Sequence, residues 1–174
     1  MRNRQELEAI IRREVDRFRR DGRGHEDSFM ELKRQFPEPQ KAARRIAALC
    51  NSAHGADAIW IIGVDDSTGE VYELESTELQ EWWPNVLKWF DEIAPDMAHI
   101  VVHLDNGKPV VGMFFTTDQA PYVVTVPAGG RVDREIPWRQ GTITRSAHRR
   151  EVMRMLAPAI LQPRARLRPA RRYL

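Results

Sequence analysis

The chain has 174 residues, enough to bury one hydrophobic core but hardly a second, and its 42% hydrophobic and 30% charged residues are typical of a globular protein. This composition excludes a wholly disordered chain. The sequence has no run of about 20 apolar residues, which excludes a membrane-spanning helix, so we expect a soluble, cytoplasmic protein without a membrane partner. A single cysteine, Cys50, excludes an internal disulfide and a zinc site built from several thiolates.

The net charge of +2 conceals a strong asymmetry along the chain. Residues 1–24 carry 8 Arg against 5 acids, residues 25–138 carry 9 Lys and Arg against 19 acids, and residues 139–174 carry 10 Arg against Glu151. Basic ends beside an acidic middle are typical of nucleic-acid-binding proteins, because each arginine near a phosphate releases counterions. The alternative is that the basic end is a solubilising tail.

In chain order, the first predicted element is an amphipathic helix over residues 4–20, whose apolar residues recur at helical spacing. After a glycine-containing break, residues 29–33 alternate, which predicts a strand with Glu31 and Lys33 on its polar face. Pro39 suits the first turn of a second helix that ends near residues 51–55. Residues 58–64 form a continuous apolar run and predict a buried central strand.

The second half of the sequence predicts a returning strand at 71–74 and then a helix that Pro84 kinks or splits. Asn106-Gly107 separates two apolar segments and predicts a hairpin. The remaining predicted elements are strands at 122–126 and 136–139, a helix at about 146–156 and an extended, arginine-rich tail with three prolines.

Four chemically interesting residues lie where these elements meet. Glu26 precedes the first strand, Glu31 and Lys33 share its polar face, and Asp66 follows the central strand. If the two strands are neighbours, the acids can converge to hold Mg²⁺ or Mn²⁺, and Lys33 can contact a phosphate. The alternative is that Glu31 and Lys33 are ordinary residues of a half-exposed strand, because such strands alternate Glu and Lys in many proteins.

The chain resembles the Schlafen-type AlbA-like domain over about residues 25–156. The resemblance rests on Glu-Asp-Ser-Phe-Met-Glu-Leu-Lys at 26–33, a helix that ends with Cys-Asn-Ser-Ala-His-Gly at 50–55, Trp-Ile-Ile-Gly-Val-Asp-Asp at 60–66, and Ile-Pro-Trp-Arg-Gln-Gly-Thr at 136–142. One departure is Ala56, which stands where the family usually has a second glycine.

The resemblance implies a mixed α/β (α+β) fold with a mixed β-sheet and flanking helices, used for nucleic-acid binding. Some members cleave transfer or ribosomal RNA with a divalent metal, and their acids match Glu26, Glu31 and Asp66. We therefore expect a metal-dependent endoribonuclease with Mg²⁺ or Mn²⁺ held by these acids and assisted by Lys33. The alternatives are a non-catalytic DNA- or RNA-binding module, as a regulator or assembly subunit, and a pure protein-interaction role.

The expected organisation is an N-terminal helix and linker (1–24), the family domain (25–156) and an arginine-rich tail (157–174). RNA is the favoured partner and DNA is possible. We also expect a homodimer or a subunit of a complex, because segment 79–93 offers Trp82, Trp83 and other apolar residues on most sides of its helix. The basic residues expected to contact nucleic acid are Lys33, Arg44, Arg45, Arg139, Arg145, Arg149, Arg164, Arg166, Arg168, Arg171 and Arg172.

Overall fold

The computed structural model describes residues 4–21, 29–53, 55–74, 78–104, 107–128 and 131–157. Its helices are α1 (Arg4–Asp21), α2 (Pro39–Ala53), α3 (Glu78–Leu87) and α4 (Arg149–Leu156). Its strands are β1 (Met30–Lys33), β2 (Ala58–Ile62), β3 (Met97–His103), β4 (Pro109–Phe115), β5 (Val124–Ala128), β6 (Arg131–Glu135), β7 (Pro137–Gln140) and β8 (Ile143–Ser146).

A four-stranded mixed sheet in the order β1-β2-β4-β3 forms the centre of the molecule. Strands β1 and β2 are parallel and are joined by α2, as a parallel pair requires, while β4 runs antiparallel to both β2 and β3. The hairpins β5–β6 and β7–β8 form two separate two-stranded sheets. The mixed α+β fold is confirmed, as are the buried central strand and the β3–β4 hairpin.

Both faces of this sheet are covered, because side chains of β2 alternate between two apolar clusters. Trp60 and Ile62 pack with α2 and α3, whereas Ile59 and Ile61 pack with α1 on the opposite face. Continuous apolar sequence in β2 follows from this double burial. The sequence predicted that residues 1–24 are separate from the domain at 25–156. In the structure, the apolar side of α1 packs directly on the sheet.

Helix α3 is shorter than its sequence pattern indicates. It includes Pro84 and ends at Leu87, while Phe90 lies beyond it and forms a bridge to Val124 of β5. Trp82 is buried, and Trp83 packs partly buried against the same cluster. The apolar residues that suggested a dimer surface at 79–93 are therefore mostly part of the core.

Three further elements differ from the sequence expectation. The returning strand at 71–74 is reduced to one bridge between Val64 and Val71. Strands β6 and β8 had no counterpart among the predicted elements, since Arg-Val-Asp-Arg-Glu and Ile-Thr-Arg-Ser are short and largely polar. Both are stabilised by hairpin pairing rather than by apolar patterning. None of the described helices combines the length and apolarity needed to cross a membrane.

Gly112 of β4 allows α1 to approach the sheet closely. A Cβ atom built at Gly112 would overlap Cδ1 of Ile11, whose side chain is fully buried. We expect Gly112→Ala to lower the free energy of unfolding by about 1–3 kcal/mol, because a packed neighbour must move. Ile11→Ala should cost much less in the Gly112→Ala background than alone, since it removes the overlap. Urea denaturation of the four proteins measures this coupling, and simple additivity would contradict the close approach.

Candidate functional site

Glu31, Lys33 and Asp66 meet on one side of the sheet. The alternation of β1 directs Met30 and Leu32 towards the α1 face and leaves Glu31 and Lys33 on the other face. Asp66 lies beyond the end of the neighbouring parallel strand β2. The Lys33 ammonium lies 3.1 Å from Oε1 of Glu31 and donates a 2.9 Å hydrogen bond to Oδ2 of Asp66. The structure thus places a lysine between the two carboxylates.

Arg139 reaches this group from β7, which is distant in sequence. Its side chain is 3% exposed and its Nη1 donates to Oε2 of Glu31, while its Nε donates to the carbonyl of Gly141 at 2.9 Å. Glu31 is also buried, and Arg45 Nη1 lies 3.7 Å from its Oε1. Glu31 is therefore the shared acceptor of an ion-pair network joining β1, α2 and β7.

Together with helix α2 and the β7–β8 hairpin, these residues line a cleft of about 430 Å³. Five of the lining side chains are cationic and two are carboxylates, so the cleft is positively charged. Two threonines supply hydroxyl groups and no aromatic ring lines the described part of the cleft. The lining residues are Glu31, Lys33, Lys41, Arg44, Arg45, Asp66, Arg139, Thr142 and Thr144.

Arg44 is fixed on the rim of this cleft by Glu135 of β6. Its Nε and Nη2 donate to the two carboxylate oxygens at 2.7 and 2.8 Å, and Ser146 Oγ donates to the same carboxylate at 2.7 Å. These hydrogen bonds from Arg44 lower the pKa of Glu135 and, reciprocally, raise the pKa of Arg44. Lys41 and Arg45 are held less tightly and are 72% and 44% exposed.

The described residues do not fit a divalent metal. Both oxygens of Glu31 have cationic partners, Asp66 binds Lys33, and the ammonium lies where a cation between the acids would be needed. Within the described part of the chain, no group of three His, Cys, Asp or Glu residues is arranged to hold a metal ion. Glu26, the third acid of the sequence hypothesis, lies outside the described residues.

Other residues singled out from the sequence lie away from the cleft or outside the description. Arg145 forms a two-pronged ion pair with Glu151, whose carboxylate also accepts from the backbone N–H of His148. These hydrogen bonds lower the pKa of Glu151 to about 2, and the bond from Arg145 has the largest effect. Arg149 is exposed at the start of α4. Arg164, Arg166, Arg168, Arg171 and Arg172 lie outside the described residues.

Sequence reasoning missed three cleft residues and one structural anchor. Lys41 lies one helical turn before Arg44 and Arg45, so their common spacing on α2 could have revealed it. Thr142 appeared only as the last residue of the motif at 136–142, without a role, and Thr144 gave no signal because β8 was not recognised as a strand. Asn51 belonged to the motif at 50–55 but was given no role, whereas in the structure its buried amide joins α2 to the chain at Tyr122 and Pro137.

No protein-family model matches the chain, and no curated protein matches it. Among solved structures, the crystal structure of the DIP2311 protein from Corynebacterium diphtheriae is similar, with a TM-score of 0.54 and 20% sequence identity. The match covers 87% of this chain and 28% of the DIP2311 chain. At this identity the likeness shows the fold alone. The Schlafen-type AlbA-like resemblance therefore stays a prediction.

Proposed function

We propose that the protein binds nucleic acid by holding the phosphate backbone in the cleft between α2 and the β7–β8 hairpin. The observation that carries this proposal is the excess of cations in a concave site, with five basic side chains against two carboxylates. A positive cleft attracts a polyanion and concentrates it near the surface. RNA is the favoured ligand from the sequence resemblance, and DNA is the second.

The chemistry of the lining supports recognition of phosphates rather than bases. Lys41 and Arg45 are one turn apart on α2. The pair of Lys41 with Glu38 is an exposed ion pair, and Arg45 lies 3.7 Å from Glu31, beyond hydrogen-bond distance, so both cations can turn to phosphate contacts. Thr142 and Thr144 add hydroxyl groups on the opposite wall. Since the described lining has no aromatic ring, it lacks the platform on which single-stranded bases usually stack. We therefore expect binding with little sequence preference.

Removing both exposed cations of α2 tests the site. The double variant Lys41→Ala/Arg45→Ala should bind transfer RNA about tenfold more weakly at moderate salt, and its salt dependence should flatten. Each lost phosphate contact reduces the slope of log affinity against log salt by about 0.9 on a duplex, so the expected change is about 2. Fluorescence anisotropy with labelled transfer RNA and duplex DNA at several salt concentrations gives both quantities.

The matched control is Arg13→Ala/Arg17→Ala, which removes two exposed cations with the same spacing from α1. Helix α1 covers the opposite face of the sheet, so this variant should keep a slope close to that of the wild type. Equal losses in the two double variants would refute the cleft as the binding site. They would indicate a diffuse charge effect instead.

A metal-dependent endoribonuclease is the second candidate, and the meeting of Glu31, Lys33 and Asp66 at the base of the cleft is the observation that favours it. Incubating labelled transfer RNA, ribosomal RNA and single-stranded DNA with and without Mn²⁺ separates the two functions. Because the described carboxylates are paired with cations, we expect binding without cleavage. Metal-dependent cleavage that is lost in Asp66→Asn, whose side chain is 50% exposed, would establish the nuclease.

A further inference from the structure

Strand β3 is an edge of the four-stranded sheet and has an unusually regular, uncharged sequence for that position. Its seven residues, Met-Ala-His-Ile-Val-Val-His, pair with β4 without a bulge. Proteins usually protect such an edge with lysine, proline, a bulge or a covering segment. Strand β3 contains none of the first three, and among the described residues the hydrogen bond that covers its outer edge comes from Arg12 of α1 at His103. The edge at His99 and Val101 is therefore suited to pairing with another strand.

The register identifies the backbone groups on that outer edge. The N–H of Leu104 donates to the carbonyl of Lys108, and inward hydrogen bonding alternates along an antiparallel ladder. Ile100 and Val102 therefore bond to β4, whereas His99, Val101 and His103 present their N–H and C=O groups outward. The carbonyl of His103 confirms this direction, because it accepts a 2.7 Å hydrogen bond from Arg12 of α1. Among the described residues, no hydrogen bond reaches the outward groups of His99 or Val101.

Side chains on this edge are also accessible, and two of the three exposed ones next to Ile100 are apolar. Val101 is 42% exposed, and Ala98 and His99 are exposed as well. Val101 and His99 border a small groove of about 80 Å³ whose other walls include Phe36 and Leu79. A strand added beside β3 would cover this apolar surface and satisfy the outward backbone groups at the same time.

We propose that the partner is a second copy of the chain, with two β3 strands pairing antiparallel about a two-fold axis at Ile100. In this register His99 faces Val101 of the partner subunit, and every outward N–H of these two residues meets an outward carbonyl. The histidines do not face each other, so no like charges oppose one another in the ladder. The result is a continuous eight-stranded sheet and a closed dimer.

Charge complementarity at the ends of the strand favours a second copy over an unrelated peptide. Asp96 is exposed and precedes β3 at one end. At the other end of the strand, Arg12 of α1 binds the carbonyl of His103 and also pairs with Glu8. The two-fold register places residue 96 opposite residue 104 of the other copy. Asp96 of each copy therefore lies beside Arg12 of the partner subunit, twice in the dimer.

Light scattering on the full chain tests the dimer. The wild type at tens of micromolar should give twice the chain mass of 20.2 kDa, and Val101→Lys should give the single mass because it adds a charge to the interface. Val101 is partly exposed in the single chain, so the variant should keep the wild-type circular dichroism spectrum and melting temperature. A wild-type mass near 20.2 kDa, or an unchanged dimer in Val101→Lys, would overturn the proposal.

Exchanging the charges of Asp96 and Arg12 gives a sharper test, because it requires no substitution within β3. Asp96→Arg and Arg12→Glu should each prevent dimerisation, because like charges then meet at both ends of the interface. An equimolar mixture of the two should recover the double mass, since opposite charges meet again in the mixed dimer. Asp118→Arg, which makes the same charge change at an exposed turn elsewhere, is the control and should remain dimeric. Failure of the mixture to recover the dimer would reject this register.

Discussion

Arg139→Met should lower the free energy of unfolding by about 3 kcal/mol, the lower end of the range for breaking a buried ion pair. The substitution removes the guanidinium that pairs with Glu31 while keeping an apolar stem of similar length. Glu31 then remains buried with Lys33 at 3.1 Å as its nearest cation, which is why the cost does not reach the upper end of the range. Urea denaturation measures the loss.

Two further variants separate a buried ion pair from a general effect of removing arginine. Glu31→Met/Arg139→Met replaces both charges by apolar side chains and should recover most of the lost stability, because no uncompensated carboxylate remains. Arg134→Met removes an arginine that is paired with Asp91 at the surface, and it should change stability by less than about 0.5 kcal/mol. If Arg139→Met behaves like Arg134→Met, the pair with Glu31 contributes no more than a surface contact.

Asn51→Leu should be at least as damaging, with an expected loss of about 3–5 kcal/mol. The Asn51 amide donates to the carbonyls of Tyr122 and Pro137 at 2.9 and 2.8 Å and accepts from the N–H of Tyr122 at 2.7 Å. Asn51 is fully buried, so leucine would leave three backbone groups without partners, each costing about 1–3 kcal/mol before relaxation. Chemical denaturation measures the loss.

Asn51→Asp adds a pH dependence to this prediction. The new carboxyl group has nearly the same shape but faces two carbonyl oxygens in a buried site, which raises its pKa in the folded state. When the pKa of a group is higher in the folded state than in the unfolded state, its contribution to stability is fully present below the unfolded-state pKa. That contribution is lost as the pH rises through the folded-state pKa. The variant should therefore be closer to wild-type stability at pH 4 than at pH 7. Asn85→Asp, at an exposed position, is the control and should not show this increase in damage with rising pH.

The elements that the sequence predicted well are those whose patterns follow from burial on one face or two. Strand β1 alternates because only its Met30 and Leu32 side meets α1, and β2 is apolar throughout because both faces are covered. Helix α3 was predicted too long, since Trp89 and Phe90 continue the apolar pattern but pack from a turn rather than from the helix. Periodicity reports burial, and it does not distinguish a helical residue from a buried turn residue.

The candidate site was only partly predictable for a related reason. The approach of Glu31 and Asp66 follows from strand order alone, which the sequence could suggest. The pairing of Glu31 with Arg139 depends on where a hairpin packs 108 residues later, and no local pattern encodes that. The same limit applies to Asn51, whose partners lie 71 and 86 residues away. Ion-pair and amide anchors between distant segments become visible only in three dimensions.

The cleft is assembled from two distant parts of the chain, which affects when it can exist during synthesis. Strands β1 to β4 contain the whole central sheet, so that sheet can pair before the later hairpins leave the ribosome. The cleft needs Arg139, Thr142 and Thr144 as well, and these emerge last among its residues. Until then Glu31 and Lys33 lack the opposite wall of the cleft. The central sheet of a nascent chain can therefore form before the cleft that we propose binds a polyanion is complete.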